Sequence, residues 1–281
     1  MVNSHGHFAW YELTTTDVEA AKAFYTDVMG WVAQDVSAPG RTYVLFTTGT
    51  ALVSGLMDLP ESARKTGAKP CWIGYVEVND VDAATDRIKR IGGAVQVPPT
   101  DVPNISRFSV FTDPQAATLA LVKSLNPDHE QPVDMGAPGR VGWHELLAAE
   151  WEKALAFYGE LFDWKKADAD IDATGAYQLF SAGGRAIGGM LTKPPTVPDP
   201  FWLYYFNVGD IDAAAKRVTT AGGRILDGPL ELPGGGWIVH CTDPQGAVFA
   251  LQGHRRHGAV GYFARVGPRG PSDARGRRWY W

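Results

Sequence analysis

Apolar and polar positions alternate from Phe8 to Thr14, which predicts a strand with Trp10 and Glu12 on one face, because side chains two apart on a strand point the same way. Asp17 then caps a predicted helix in which Ala20, Phe24 and Val28 recur at helical spacing, and Gly30 stops it. Strands are predicted at about 31–36, 41–48 and 51–57, with Pro39-Gly40 as one turn. From Cys71 to Val78 the pattern starts again as a strand. Asp80 caps a helix that buries Ala83, Ala84 and Ile88, Gly92-Gly93 ends it, and strands follow near 94–97, 105–112 and 117–122, with Asp113-Pro114 at the last turn. The remainder runs the same course: a strand at 141–147 that puts Trp143 and Glu145 on one face, a helix at 150–162, strands to 191, a strand at 201–208, a helix at 210–221 and strands to 252.

Laid against each other, the halves match residue by residue. Trp10 pairs with Trp143, Glu12 with Glu145, Phe24-Tyr25 with Phe157-Tyr158 and Trp31 with Trp164, each 133 apart (143 − 10). Further on, Trp72 pairs with Trp202, Asp80 with Asp210, Gly92-Gly93 with Gly222-Gly223 and Asp113-Pro-Gln with Asp243-Pro-Gln, each 130 apart (202 − 72). A period of this length is too long for a solenoid and marks an internal duplication. Each half reads as βαβββ twice, so the chain is an α+β protein of four such units, with one domain at 1–123 and a second at 141–252. Residues 124–140, with Pro127, Pro132, Pro138, Gly136 and Gly139 and no periodicity, read as a linker, and a shorter Pro-rich join spans 193–200. The tail at 253–281 sets seven arginines against Asp273, interleaved with Tyr262, Phe263, Trp279, Tyr280 and Trp281. Docking of its aromatics on the body of the protein or on a second subunit is the favoured reading. A grip on single-stranded nucleic acid is set aside because the stretch is short and the rest of the chain is acidic.

Composition adds little that is specific. The 281 residues are 45% hydrophobic and 20% charged, which is globular, and a net charge of −5 gives no field to attract nucleic acid. Cys71 and Cys241 do not occupy matching places in the repeat, so free thiols rather than a disulfide are expected. The opening residues lack an apolar core of signal-peptide length, and no run of about 18 uncharged apolar residues occurs anywhere. The expectation is a cytoplasmic protein with a small-molecule partner and no nucleic-acid or membrane partner, either a monomer with two pseudo-symmetric domains or a homodimer.

The opening strand, the Phe-Tyr near the helix end, the Gly-Gly after the second helix and the turn from Asp243 to Gly246, in this order and twice, resemble the vicinal oxygen chelate superfamily of glyoxalase I, extradiol dioxygenases and bleomycin-resistance proteins. The resemblance implies two tandem glyoxalase-like domains, each a pair of βαβββ units curling a mixed sheet round a cavity. It also implies a divalent ion held by a His on the first strand of each unit and a Glu on the closing strands. At those places this chain has Trp10 and Trp143, Ile73 and Leu203, and Ala120 and Ala250, while 51–57 and 184–191 contain no His, Asp or Glu. None of these side chains is a donor for zinc, iron or manganese. No metal ligand and no cofactor is therefore expected, with a divalent ion in a new geometry as the alternative.

Alternation from the same anchors lists the side chains expected to face each cavity. In the first half they are Trp10, Glu12, Thr14, Ile73, Tyr75, Glu77, Val110 and Ala120. In the second they are Trp143, Glu145, Leu147, Leu203, Tyr205, Asn207, His240, Ala250 and Gln252. Glu145 and His240 are the candidate catalytic pair, because a carboxyl buried beside an indole has a raised pKa and an imidazole titrates near neutrality. Val110 stands where the second half has His240, so the fold itself does not demand a histidine there. Trp143, Tyr205, Asn207, Gln252, Trp10, Glu12 and Tyr75 are the candidate ligand-binding residues, with Glu12 the structural twin of Glu145. His144, one residue out of phase, belongs on the opposite face. The runs Gly183-Gly184, Gly188-Gly189 and Gly234-Gly235-Gly236 open no helix, so they mark hairpins and close backbone approach rather than a phosphate cradle.

Three functions follow as expectations. The first is metal-independent binding of a small, partly aromatic or apolar organic molecule, as in sequestration or resistance. The second is a glyoxalase-like lyase or isomerase, or a related hydrolase, that uses Glu145 and His240. The third is an interaction protein whose cavities are filled by its own side chains.

Overall fold

Asp17 caps the first helix by accepting from the Ala20 N–H at 3.0 Å, and Gly30 ends it in the left-handed region at φ 71°. The same device recurs at Asp80 and Asp210, whose carboxylates accept from the N–H groups of Ala83 and Ala213. A computed structural model describes residues 4–125, 134–168 and 177–255. Its first half contains β1 (Phe8–Thr15), α1 (Val18–Met29), β2 (Val32–Asp35), β3 (Tyr43–Thr48), β4 (Ala51–Asp58), α2 (Glu61–Lys65), β5 (Cys71–Glu77), α3 (Val81–Arg90), β6 (Ala94–Val102), β7 (Ser106–Thr112) and β8 (Thr118–Ser124). The second half contains β9 (Val141–Ala148), α4 (Trp151–Phe162), β10 (Lys165–Lys166), β11 (Tyr177–Ala182), β12 (Arg185–Thr192), β13 (Phe201–Val208), α5 (Ile211–Thr220), β14 (Arg224–Glu231), β15 (Trp237–Thr242) and β16 (Val248–Gly253).

Each half forms one eight-stranded mixed sheet, in the orders β2-β3-β4-β1-β5-β8-β7-β6 and β10-β11-β12-β9-β13-β16-β15-β14. The two opening strands of a half lie antiparallel at its centre and each is flanked in parallel by the closing strand of its own unit. Both sheets stay open. Two local expectations are corrected. The strand placed near 94–97 runs on to Val102 through Pro98 and Pro99, which is tolerated because β6 is the last strand of its sheet and has a free side. The five-residue α2 was not foreseen, since one turn is too short to show a helical period and it buries no side chain.

A single buried cluster spans both halves. It takes Phe24, Tyr25 and Trp31 from one, Phe157, Tyr158 and Trp164 from the other, and the helix-facing residues of both sheets. The repeated residues meet reciprocally here. The Tyr25 hydroxyl donates to Asp243 Oδ2 at 3.1 Å and the Tyr158 hydroxyl donates to Asp113 Oδ2 at 2.9 Å. Each aspartate also accepts from the backbone N–H groups of its own turn. A Cβ on Gly93 would meet Ile88 and the Thr112 carbonyl and crowd the Phe157 ring, and one on Gly223 would meet the Thr242 carbonyl and the Phe24 ring, so the repeated Gly-Gly admits close backbone approach beside the other half's ring. Gln115 exchanges two hydrogen bonds with the Glu150 backbone, both at 2.9 Å, at the start of α4. The linker expectation falls partly on 126–133, outside the described residues. Its described end is held in place: the Trp31 indole donates to the Gly139 carbonyl, and Gly139 and Arg140 pair with the Asn207 backbone. Residues 256–281 of the tail lie outside the described residues. Arg255, just before them, sits 3.8 Å from the Trp237 ring centroid and is paired bidentately with Asp212.

Candidate functional site

On the face of each sheet turned away from the shared core lies a smaller apolar cluster to which none of the described helices contributes. In the first half it holds Ile73, Tyr75, Val110, Ala120 and Val122 with Trp10, Cys71, Val97 and Phe108 against them. In the second it holds Leu147, Leu203, Tyr205, Ile238 and Ala250, with Val197 from the Pro-rich join, against Trp143, Leu191, Phe201 and Leu230. Alternation places these residues on one face, and the strand register aligns them: Trp143 pairs with Tyr205, Tyr205 with Ala250 and Ala250 with His240, so these four form one row across the sheet.

Each cluster is centred on its glutamate. Glu12 accepts from the Tyr43 hydroxyl at 2.7 Å and from the Tyr75 hydroxyl at 2.9 Å, while the Trp10 indole donates to the Tyr43 oxygen at 3.3 Å. In the second half Glu145 accepts from the Tyr205 hydroxyl at 3.1 Å and from the Tyr177 hydroxyl, and the Trp143 indole donates to Tyr177 at 2.9 Å. Sequence reasoning missed Tyr43 and Tyr177. Both reach their glutamates over a glycine of the neighbouring strand, Gly55 or Gly189, where a Cβ would run into the tyrosine ring. These pairs were present in the repeat at a spacing of 134 (177 − 43 and 189 − 55), a one-residue drift from the opening strand.

The halves differ in charge and in one row. Burial pushes the Glu145 carboxyl up to about 7, against the pull of its two tyrosine hydrogen bonds. Glu12 is also raised by burial, but in addition to its tyrosines it feels the Arg41 guanidinium, which lies 5.3 Å from the Tyr43 ring centroid. His240 Nε2 is 2.9 Å from the Tyr205 oxygen, and burial lowers this imidazole to about 4, so it is neutral at pH 7. Tyr205 thus links Glu145 and His240 in a continuous hydrogen-bonded row. The first half has Val110 at the end of the corresponding row.

The other candidates fall as follows. Asn207 and Gln252 stand on the same face nearer the linker, where the Asn207 amide donates to the Met135 and Ala137 carbonyls and Gln252 donates to Asn207 at 2.7 Å. Tyr75 and Trp10 belong to the Glu12 cluster. His144 lies on the opposite face, as its phase demands. Buried in the core between the halves, it stacks on Phe8 at 3.8 Å, its Nδ1–H donates to the Ile187 carbonyl, and its Nε2 accepts from the Tyr11 hydroxyl. Both cysteines are free, and burial raises both thiols.

The sequence matches the profile of the Glyoxalase/Bleomycin resistance protein/Dioxygenase superfamily twice, over residues 6–121 and 140–251. The chain belongs to this superfamily. It is 35% identical to "Putative glyoxylase CFP32" of Mycobacterium tuberculosis over 86% of this chain and 92% of that one. It is 30% identical to the anthracycline biosynthesis protein DnrV of Streptomyces peucetius over 86% and 91%. Among solved structures, the Mn(II)-bound glyoxalase of Novosphingobium aromaticivorans is similar with a TM-score of 0.59 at 18% identity, covering 89% of this chain and 82% of that one. The 2,3-dioxygenase LapB of Pseudomonas sp. KL28 gives 0.61 at 13%, covering 94% and 97%. These structures share its fold. The divalent ion of metal-using superfamily members does not fit the inherited positions of this chain. Trp10, Ile73 and Ala120 face the first cluster and Trp143, Leu203 and Ala250 the second, and none offers an imidazole or carboxylate. No described helix is long and apolar enough to cross a membrane.

Proposed function

We propose that this chain is a metal-independent member of the superfamily that binds a small, partly aromatic or apolar organic molecule on the second-half cluster face. The observation that carries the reading is the replacement of every inherited ligand position by an aromatic or aliphatic side chain, around a buried carboxyl held by two tyrosines. Half-buried Trp143, Tyr177 and Phe201 supply flat apolar walls, and Glu145 with Tyr205 supplies the few convergent polar groups that orient a ligand. Relatives named for the biosynthesis of anthracyclines, fused aromatic ring systems, fit a ligand of this kind. Thermal-shift and tryptophan-fluorescence titrations of the full chain against aromatic metabolites and antibiotics test it. Saturable binding that Trp143→Ala weakens at least tenfold is expected. The absence of any ligand, or stoichiometric zinc, manganese, iron or nickel in protein purified without a His tag, refutes it.

Proton transfer is the second reading, and the Glu145 carboxyl poised near neutrality favours it. In this reading Glu145 takes a proton from a carbon acid and returns it at another position, as a lyase or isomerase does, and Tyr205 with His240 holds the carboxylate in place. A substrate turned over by the wild type and by Glu145→Gln at equal rate eliminates it.

A further inference from the structure

The Glu145 carboxyl differs from its twin in what surrounds it. Around Glu12, the Arg41 guanidinium offsets part of the buried charge. Around Glu145, among the described residues, no lysine or arginine charge acts. The groups that face it are the Tyr177 hydroxyl from β11 and the Tyr205 hydroxyl from β13, with neutral His240 from β15 behind Tyr205. The facing positions of β12 and β16 are Gly189 and Ala250. Lys193, a cation of the Pro-rich join against this face, donates its ammonium to the Val197 carbonyl at 2.7 Å. A carboxylate in such a place is costly to ionise without a partner, and its neighbours on this face are two tyrosine hydroxyls, a neutral imidazole and apolar side chains. A cation would satisfy the carboxylate; an anion would meet it as repulsion.

We infer that the second-half face selects a ligand carrying a positively charged nitrogen, a protonated amine or quaternary ammonium on an apolar or aromatic body, with Glu145 as its counter-ion. This rests on the ligand-binding reading above. On binding, the carboxyl gives its proton to solvent and pairs as the carboxylate with the ligand cation, while Tyr177 and Tyr205 keep their hydrogen bonds to it.

Calorimetric titration of the full chain with benzyltrimethylammonium, benzyl alcohol and benzoate at pH 6 and pH 8 tests this, since none of the three probes changes charge in that range. With the carboxyl at about 7, the ionised fraction rises from about a tenth to about nine-tenths between these pH values. The ammonium is therefore expected to bind about tenfold more tightly at pH 8, to release a proton at pH 6, and to exceed the other two probes at least tenfold at pH 8. Glu145→Gln should remove both the preference and the pH dependence, and Glu61→Gln, at an exposed carboxylate outside both faces, should retain them. The wild-type pH dependence carries the test even if a variant does not fold. Binding of the alcohol or benzoate as tightly as the ammonium, or ammonium binding independent of pH, overturns the charge assignment and leaves the ligand-binding reading intact. Binding of none of the three overturns the charge assignment, and takes the broader reading with it only if the aromatic screen also finds nothing.

Discussion

Replacing Glu145 by glutamine should change the pH dependence of stability in a calculable direction. In the unfolded chain a glutamate titrates near 4.5, and in the folded protein burial holds Glu145 at about 7. Between these values the folded state keeps a proton that the unfolded state gives up. The raised carboxyl therefore contributes full stability below pH 4.5, and that contribution is lost as pH rises through 7. The difference of 7 − 4.5 corresponds to about 3 kcal/mol, at 1.36 kcal/mol per unit. Glutamine keeps a similar shape, still receives a tyrosine hydrogen bond on its oxygen, and cannot ionise. Urea unfolding of wild type and Glu145→Gln, followed by near-ultraviolet circular dichroism from pH 4.5 to 9, gives the difference in stability at each pH. Because the two proteins share nearly every other titrating group, the slope of that difference isolates this site. It should move by about 3 kcal/mol in favour of the variant between pH 4.5 and 8, with a constant offset of roughly 1 kcal/mol for the altered hydrogen bonding. A flat difference would refute the assignment of a buried, mostly uncompensated carboxyl. A slope of opposite sign would mean that the folded state holds Glu145 as a carboxylate paired with a cation.

Three further outcomes follow from the same geometry. His240→Val, which installs the residue found at the equivalent first-half position, should gain stability relative to wild type as pH falls from 6.5 to 4, by about 3 kcal/mol, because the buried imidazole at about 4 resists the proton that the unfolded chain accepts at 6.5; chemical denaturation at pH 4 and pH 7 reads this. Gly189→Ala forces a Cβ into the Tyr177 ring and should cost about 1–3 kcal/mol, and in the double variant with Tyr177→Ala most of that cost should disappear, as a thermal double-mutant cycle would show. Tyr158→Phe leaves the buried Asp113 Oδ2 without the hydroxyl from the other half and should lower stability by about 1–3 kcal/mol, with Tyr25→Phe behaving alike at Asp243.

The order of elements, the duplication and the faces of the central strands were legible in the sequence, because two periodicities and repeated capping aspartates report them directly. That Trp143, Tyr205, Ala250 and His240 share a face follows from alternation, whereas their alignment in one row is set by the strand register. What a side chain meets across strands was less legible. Tyr43 and Tyr177 come from a hairpin edge more than 30 residues from the glutamates they hold, and the glycines that let them lie flat look like ordinary turn residues in sequence. Asn207 had the right phase, yet its amide is taken up by linker carbonyls, a contact no local pattern encodes. His144 was assigned to the correct face. That this face is a shared core, where the ring meets Tyr11 from the other half, depends on how the halves dock.

The reciprocal contacts of Tyr25 with Asp243 and of Tyr158 with Asp113 bear on how such a chain diversifies. Each half supplies both the key and the lock for the other, so a change on one side strands a partner encoded in the other half, and drift in the shared core must proceed in matched pairs. The opposite faces carry no such obligation. One carries a histidine where the other carries valine, and an arginine acts on Glu12 while, among the described residues, none acts on Glu145. A duplicated protein built this way holds its shared core fixed from both sides while its two outer faces are free to differ.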